Sequence, residues 1–575
     1  MKKITGLLVI VGLLFISCGK PESPITIVSK GGEYFVMISW NHFSSDDIEK
    51  FEEFHIYRGE TDTMMAKYAS VTTSQNSYLD TSIIPGEDFY YKVLAVTKGG
   101  RESEFSNVVK GKSFKYLPLS IQARDGEYGV NISWQVDGES SIAGIEKFQL
   151  FRGKSKTETS LVKTIDDPEK TYYFDYDIEV GNSYFYQVVA VTASGKESKP
   201  SKYIKGKGYQ PAGITNTEVL IGNIQDLSGP IKELGLLIPA GTNMYLDYIN
   251  SQGGVHGRQI KMLVEDHGYN PMKAVVAAKK LIEKDQVFCL YNVIGTSPAE
   301  AIRPILEESG VPLIAPATNS SSMSDMSKQA ARYIFHTDAG YDLQTRVLID
   351  YILENNPEAK IGFAYQDDDY GENALKGCAE AEGNHGITVQ KESFQRGATD
   401  FVGQTMNFMK GACTDVIIGG IVREPVTIMK TAQAIGYSTQ FYGLGPTVDA
   451  RVGLLAGEAG EGFTAVYWAY HPDADESGPK LYRELCEKNN VPEKMRGLYH
   501  YYGFATAHVL VEGLRKAGKY PTRERLIKGL ETLHDWDSGV FPPITYSRND
   551  HAGVESVILL QLQGGKQVAI TDWRE

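Results

Sequence analysis

The run Val219-Leu220-Ile221-Gly222-Asn223-Ile224 decides the fold of the larger part of this chain, because it opens a long alternation of apolar strands and helices. This apolar hexapeptide, bounded by turn residues, reads as a buried strand. Residues 234–249 then carry apolar side chains at helical spacing, and Gly253-Gly254 stops them as glycines do just past a helix. Residues 259–265 read as the next strand, 271–284 as an amphipathic helix, 287–293 as a strand, 298–309 as a helix and 311–314 as a strand. The alternation resumes with a helix at 346–353, a strand at 360–365, a helix at 372–382, a strand at 416–418 and a helix at 425–435. Strands alternating with helices at this spacing predict parallel sheets covered by helices on both faces. About 360 residues suit two such lobes better than one.

In open sheets of this kind ligands sit beyond the carboxyl ends of the strands. The loops that matter are therefore those leading from strand to helix. One is Ile294-Gly295-Thr296-Ser297-Pro298, which opens a helix and offers hydroxyls and unpaired backbone N–H groups to an acceptor. The plainer role for Ser297 is to cap that helix. A second loop of the same character is Pro316-Ala317-Thr318-Asn319-Ser320.

Upstream, residues 24–208 contain one unit twice. Ile38-Ser39-Trp40 recurs as Ile132-Ser133-Trp134, Tyr57-Arg58-Gly59 as Phe151-Arg152-Gly153, and Tyr91-Lys92-Val93 as Tyr186-Gln187-Val188. Each copy alternates apolar and polar residues between turn signals, which predicts many short strands and a β-sandwich. The early Trp and the late Tyr resemble the fibronectin type III module, in which such residues are structural. The expected divisions are a signal at 1–17, β modules at 24–112 and 113–208, a linker at 209–216 and the α/β part at 217–575.

At the N-terminus Lys2 and Lys3 precede an apolar run over 6–16, too short for the roughly 20 residues that span a bilayer. Ser17-Cys18-Gly19 closes that run and resembles a bacterial lipoprotein cleavage site, which implies lipidation at Cys18. The other cysteines, Cys289, Cys378, Cys413 and Cys486, are widely spaced and form no zinc or dithiol motif, though a disulfide among them is open. A net charge of −14 argues against a nucleic-acid partner. No HExxH, GxSxG or P-loop is present, so no catalysis and no cofactor is expected. The acidic run Asp367-Asp368-Asp369 lacks the other ligands of a calcium loop, and His500 and His508 lie eight apart rather than at metal-ligand spacing.

Several motifs then fall in one order: Asp226-Leu227-Ser228-Gly229-Pro230; Asn250-Ser251-Gln252-Gly253-Gly254-Val255-His256-Gly257-Arg258; Ser309-Gly310-Val311-Pro312 running into Pro316-Ala317-Thr318; Asp369-Tyr370-Gly371; and Gly436-Tyr437-Ser438-Thr439-Gln440-Phe441. Together they resemble the branched-chain-amino-acid-type periplasmic binding proteins over nearly all of 217–575. The resemblance implies a type 1 periplasmic-binding fold, with lobe 1 at about 217–337 and 470–545 and lobe 2 at about 338–469 and 546–575. It implies hinged closure on a small ligand, with an ABC permease as partner and a lipid anchor holding the chain to a membrane. It places Thr296, Ser297, Ala317, Thr318 and Asn319 at a ligand carboxylate, and Tyr370 as a pocket aromatic. The acidic anchors of the family's amino-acid binders correspond here to Gly445 and Tyr341, a tyrosine to Ile421 and an early aromatic to Leu234. Arg423, Glu424 and Asp342 stand one or two positions away. The expected function is capture of an amino acid or related small polar metabolite for import. The alternative is a ligand-sensing receptor or surface adhesion component with the same binding domain.

Overall fold

The computed structural model describes residues 25–575 except 33–34, 42–47, 85, 114–118, 137–144, 194 and 196. The signal at 1–17 and Cys18 lie outside the described residues. The chain divides into two units, one ending at Tyr209 and one beginning at Gln210.

In the first unit each repeat builds seven strands among the described residues. In the first copy Ile27–Gly32, Phe35–Trp40 and Ser77–Asp80 form one sheet, and Ala66–Thr72, Phe51–Gly59, Asp88–Thr97 and Val109–Lys112 the other. Alternation along the strands sends one face of each sheet inward. Trp40 and Ile38 of one sheet thus meet Phe54, Tyr91 and Val93 of the other in a single core. The second copy repeats the arrangement around Trp134, Phe148 and Tyr186. A bulge falls at the same place in both, between Ile56 and Tyr57 and between Leu150 and Phe151. In the second copy the last strand, Ile204–Tyr209, also pairs parallel with the first, Leu119–Glu127, joining all seven strands into one sheet.

The repeated Arg and Tyr meet on a buried carboxylate. Asp80 accepts from the Tyr91 hydroxyl at 2.8 Å and pairs with Arg58 at 2.9 Å. Asp175 accepts from Tyr186 at 2.9 Å and pairs with Arg152 at 2.9 Å. Each acid stands at the end of its strand, and each pulls the tyrosine ring down into the core. Burial works against the arginine charge, yet in both pairs the bonded carboxylate holds the guanidinium above its ordinary pKa.

The second unit holds two sheets. The first has five parallel strands in the order Gln259–Asp266, Glu218–Gln225, Leu290–Tyr291, Leu313–Ile314 and Ile334–Phe335. The second runs Gln390–Phe394, Ile361–Gln366, Asp415–Gly419, Gln440–Gly443 and Thr464–Tyr467, all parallel. It is completed by an antiparallel pair, Ile558–Gln563 and Lys566–Ala569. The alternation predicts parallel strands alone, so this hairpin corrects it. The strand expected at 287–293 shrinks to Leu290–Tyr291, and the helix expected at 271–284 is α-helical over Pro271–Lys279 before a wider π-turn at Lys280–Lys284.

Helix Leu498–Ala517, buried along nearly its whole length, returns from late in the chain to pack on helix Lys232–Ser251. The two backbones touch at glycines. A Cβ at Gly241 would overlap the His500 carbonyl, and one at Gly503 the Ile238 carbonyl. Thr242 Oγ1 donates to the Gly503 carbonyl at 3.0 Å. His500 and His508 are buried packing residues, with the His508 ring stacked on Tyr245 at 3.8 Å. Cys289, Cys378, Cys413 and Cys486 are buried and none forms a disulfide.

Removing Asp175 strands the largely covered Arg152 and the Tyr186 hydroxyl together. Asp175→Ala is expected to destabilise the first unit by about 3 kcal/mol. Calorimetry of the full chain should show that unit's transition move down while the transition of the second unit stays in place.

Candidate functional site

Each strand of the five-stranded sheet leads, at its carboxyl end, to one cavity. After Glu218–Gln225 come Ile231, Leu234 and Ile238, and after Gln259–Asp266 comes Tyr269. Ile294, Gly295 and Thr296 follow the third strand, Ala317 and Asn319 the fourth and Asp338 the fifth. Four parallel strands of the other sheet face them with Tyr370, Ile421, Gly445 with Pro446 and Val448, and Tyr467 with Trp468. Tyr341 and, from the returning helix, Leu498, Tyr499 and Tyr502 complete the wall. The space open to water centres is about 70 Å³. One buried water needs roughly 10–15 Å³ by that measure, so the cavity has room for a small molecule.

Seven of the residues expected at a ligand line this cavity: Thr296, Ala317, Asn319, Tyr341, Tyr370, Ile421 and Gly445. Ser297 and Thr318 do not. The helix begins at Thr296, with Gly295 at its cap, so Ser297 is not a capping residue. Its hydroxyl instead accepts from Arg396 at 2.7 Å. Thr318 stands behind Thr296, their hydroxyls 2.8 Å apart. Glu424 is turned into its own chain and accepts from the Ile421 N–H at 2.9 Å. Asp342 accepts from Leu343 N–H and from Ser321. Neither acid lines the cavity, nor does Arg423.

Gly445 carries no anchor for a physical reason. A Cβ there would run into the ring of Trp468, and its N–H is held by Gln344 Oε1 at 2.8 Å. The acid of this cavity is Asp338, on the segment that crosses from the first lobe to the second. Its carboxylate accepts from Trp468 Nε1 at 2.9 Å, from the Tyr502 hydroxyl at 2.7 Å and from Thr337 Oγ1 at 2.8 Å. Burial lifts its pKa to about 7, against the pull of these three donors. His267 shapes the opposite wall. It accepts the Tyr269 N–H at Nδ1 and lies 2.9 Å from the Ile294 carbonyl through Nε2, tying two cavity loops together. Burial lowers its pKa, so the ring is held neutral.

The lobes meet over the cavity. Arg396 of the second lobe is paired with Asp368 and reaches Ser297 and, at 3.3 Å, the Tyr269 carbonyl of the first. Its guanidinium lies 4.6 Å over the Tyr269 ring. Tyr499 donates to the Pro446 carbonyl at 2.6 Å, and Arg451 pairs with Glu233. The arrangement is a cleft between two lobes with bonds bridging them across it.

A family model described as periplasmic binding protein matches residues 218–567. The chain belongs to the periplasmic binding protein family. The leucine-, isoleucine-, valine-, threonine- and alanine-binding protein of Pseudomonas aeruginosa is 26% identical over 316 residues, 54% of this chain and 82% of that one. The leucine-specific-binding protein of Salmonella typhimurium is 24% identical, over 56% and 84%. Among solved structures, a branched chain amino acid ABC transporter protein from Thermus thermophilus with bound valine superposes with a TM-score of 0.59, at 20% identity, over 63% of this chain and 97% of that one. A fatty acid ABC transporter substrate-binding protein from Thermomonospora curvata gives 0.58, at 22% identity, over 64% and 94%. The first two are named as amino-acid-binding proteins and the last two as ABC transporter proteins. No helix among the described residues is long and apolar enough to cross a membrane.

Asp338, Tyr467, Trp468, Tyr499 and Tyr502 are among the cavity residues that motif reading misses. Trp468 and Asp338 stand at lobe crossings, where neither helical nor strand periodicity marks them. Tyr499 and Tyr502 lie on a helix buried along most of its length, where periodicity does not single out a cavity face.

An acid that binds its proton more tightly folded than unfolded adds stability at low pH and loses it as pH rises through the folded value. Asp338→Asn keeps an acceptor for Trp468 and removes this titration. Relative to wild type, the variant should gain roughly 1.4 kcal/mol per pH unit between pH 4 and 7 and no more above that. Urea unfolding of both proteins across that range measures it.

Proposed function

We propose that this chain is an exported, lipid-anchored solute-binding protein. It captures a small molecule, an amino acid or related small polar metabolite, between its lobes and hands it to an ABC permease. The observation that carries this reading is the cavity where strand ends of both lobes converge, with side chains from each lobe bonded across it. The names of the relatives support transport as the purpose. Ser17-Cys18-Gly19 behind a short apolar run supports lipidation at Cys18. The β modules are of the fibronectin type III kind, supported by their three-plus-four strand division and by the core positions of Trp40 and Trp134. Their role is to space the binding domain from its anchor.

Arg396 stabilises the closed state by bonds made only when the lobes meet. A ligand at about 100 times its Kd should add roughly 2.7 kcal/mol to stability. Thermal melting against amino acids, short carboxylates, amides and polyols should therefore show an upward shift with one chemical class. Arg396→Ala should bind that same class about ten-fold more weakly, through a faster off-rate. Silence across the panel would count against solute binding. Fatty-acid labelling of expressing cells should mark the wild type and leave Cys18→Ser unmarked.

A further inference from the structure

A second, larger space of about 500 Å³ adjoins the cavity in the same cleft. Its walls are the start of helix Lys232–Ser251 on one lobe and, on the other, Arg396, the start of helix Arg423–Ala434 and Arg451. The two spaces meet at Ile231, Leu234, Tyr269 and Ile421, which line both.

Their chemistry is opposite. Among the described lining residues of the inner cavity there is no Lys, Arg or His. Its one carboxyl, Asp338, already accepts from Thr337, Trp468 and Tyr502. An ion has no partner there, and burying one unpaired is costly. The outer space is lined by five cations, Lys232, Arg396, Arg423, Lys430 and Arg451, against two carboxylates, Glu233 and Glu424. The chain as a whole has 72 acidic and 58 basic residues, so this cleft inverts the balance.

Three of those cations are uncommitted. Arg396 is paired with Asp368, and Arg451 with Asp449 and Glu233. Glu424 accepts from the Ile421 N–H. Lys232, Arg423 and Lys430 are exposed and make no ion pair among the described residues. Arg423, Val426, Thr427 and Lys430 fall at helical spacing, so one face of that helix, two turns long, is turned to the cleft. Lys232 and Arg423 each open a helix, where a cation works against the macrodipole. They stand on opposite lobes, so closure brings like charges together unless an anion lies between them.

We infer that the ligand is an anion-bearing amphiphile, its apolar end in the inner cavity and its carboxylate, phosphate or sulfate in the outer space, held by Lys232 from one lobe and by Arg423 and Lys430 from the other. This rests on the solute-binding reading above and narrows its ligand class. A cleft lined by one sign of charge also concentrates the ligand at its mouth.

Titration calorimetry on the full chain tests it with octanoate, octanamide, acetate and leucine. Octanoate should bind about ten-fold or more tightly than each of the other three at low salt. Exposed ion pairs are individually weak, so the three cations are replaced together. The triple variant Lys232→Gln, Arg423→Gln, Lys430→Gln should cut the preference for octanoate over octanamide to about two-fold or less. Raising salt to about 0.5 M should shrink that preference in the wild type and leave the variant's unchanged. A variant that weakens octanoate and octanamide equally gives these residues a structural role and overturns the anion site. Octanamide, acetate or leucine binding the wild type as tightly as octanoate overturns the ligand class and leaves solute binding standing. No binding by any of the four overturns the ligand class too, and a silent wider panel beside it removes the solute-binding reading as well.

Discussion

The carboxylate of Asp338 joins what would otherwise be three independent pieces of the binding domain. It sits on the first crossing between the lobes, takes a hydrogen bond from Trp468 at the second crossing, and takes another from Tyr502 on the helix that returns to the first lobe. A carboxyl can serve here because it accepts several bonds at once. Its burial is tolerated because each donor offsets part of the cost of desolvation. Asp338, Trp468 and Tyr502 all line the cavity. Hinge and binding surface are therefore one network, and a ligand that touches Trp468 or Tyr502 also touches the elements that set the angle between the lobes.

Much of this domain was legible in the sequence. The strand at Glu218–Gln225, the helix at Lys232–Ser251 and the loops after Tyr291 and Ile314 follow from apolar periodicity and glycine stops. The rule that ligands gather beyond parallel strand ends then led to Thr296, Ala317 and Asn319. Other features are set by contacts that local pattern does not record. The Leu290–Tyr291 strand is short because its neighbours Asn292 and Ala315 adopt left-handed backbone, which ends regular pairing and which apolar patterning does not encode. The C-terminal hairpin pairs with Thr464–Tyr467 across about a hundred residues, a distance at which local pattern carries no information. Ser297 was expected to face inward or cap its helix. It faces the other lobe instead, because the helix starts two residues earlier than expected, at Thr296.

The repeated β modules show how a duplicated sequence reveals structural residues. Arg58 and Arg152 stand at matching places, as do Tyr91 and Tyr186, and the fold shows why they travel together: both reach the same buried acid. The acids, Asp80 and Asp175, are themselves 95 residues apart, in step with the tyrosines. Loss of any one member leaves the other two with unmet polar groups inside an apolar core.

The late return of helix Leu498–Ala517 matters for the order in which the domain can form. Tyr291 in the first sheet bonds Thr506, a partner 215 residues downstream. At 5–20 residues per second, a ribosome needs roughly 10–40 s to make the intervening chain. Throughout that interval helix Lys232–Ser251 lacks the partner helix Leu498–Ala517. The second sheet waits longer still, for strands that begin at Ile558. Each lobe thus depends on a segment made long after its first strands. The cavity is therefore complete only once the segments from Leu498 onward have joined strands made far earlier in the chain.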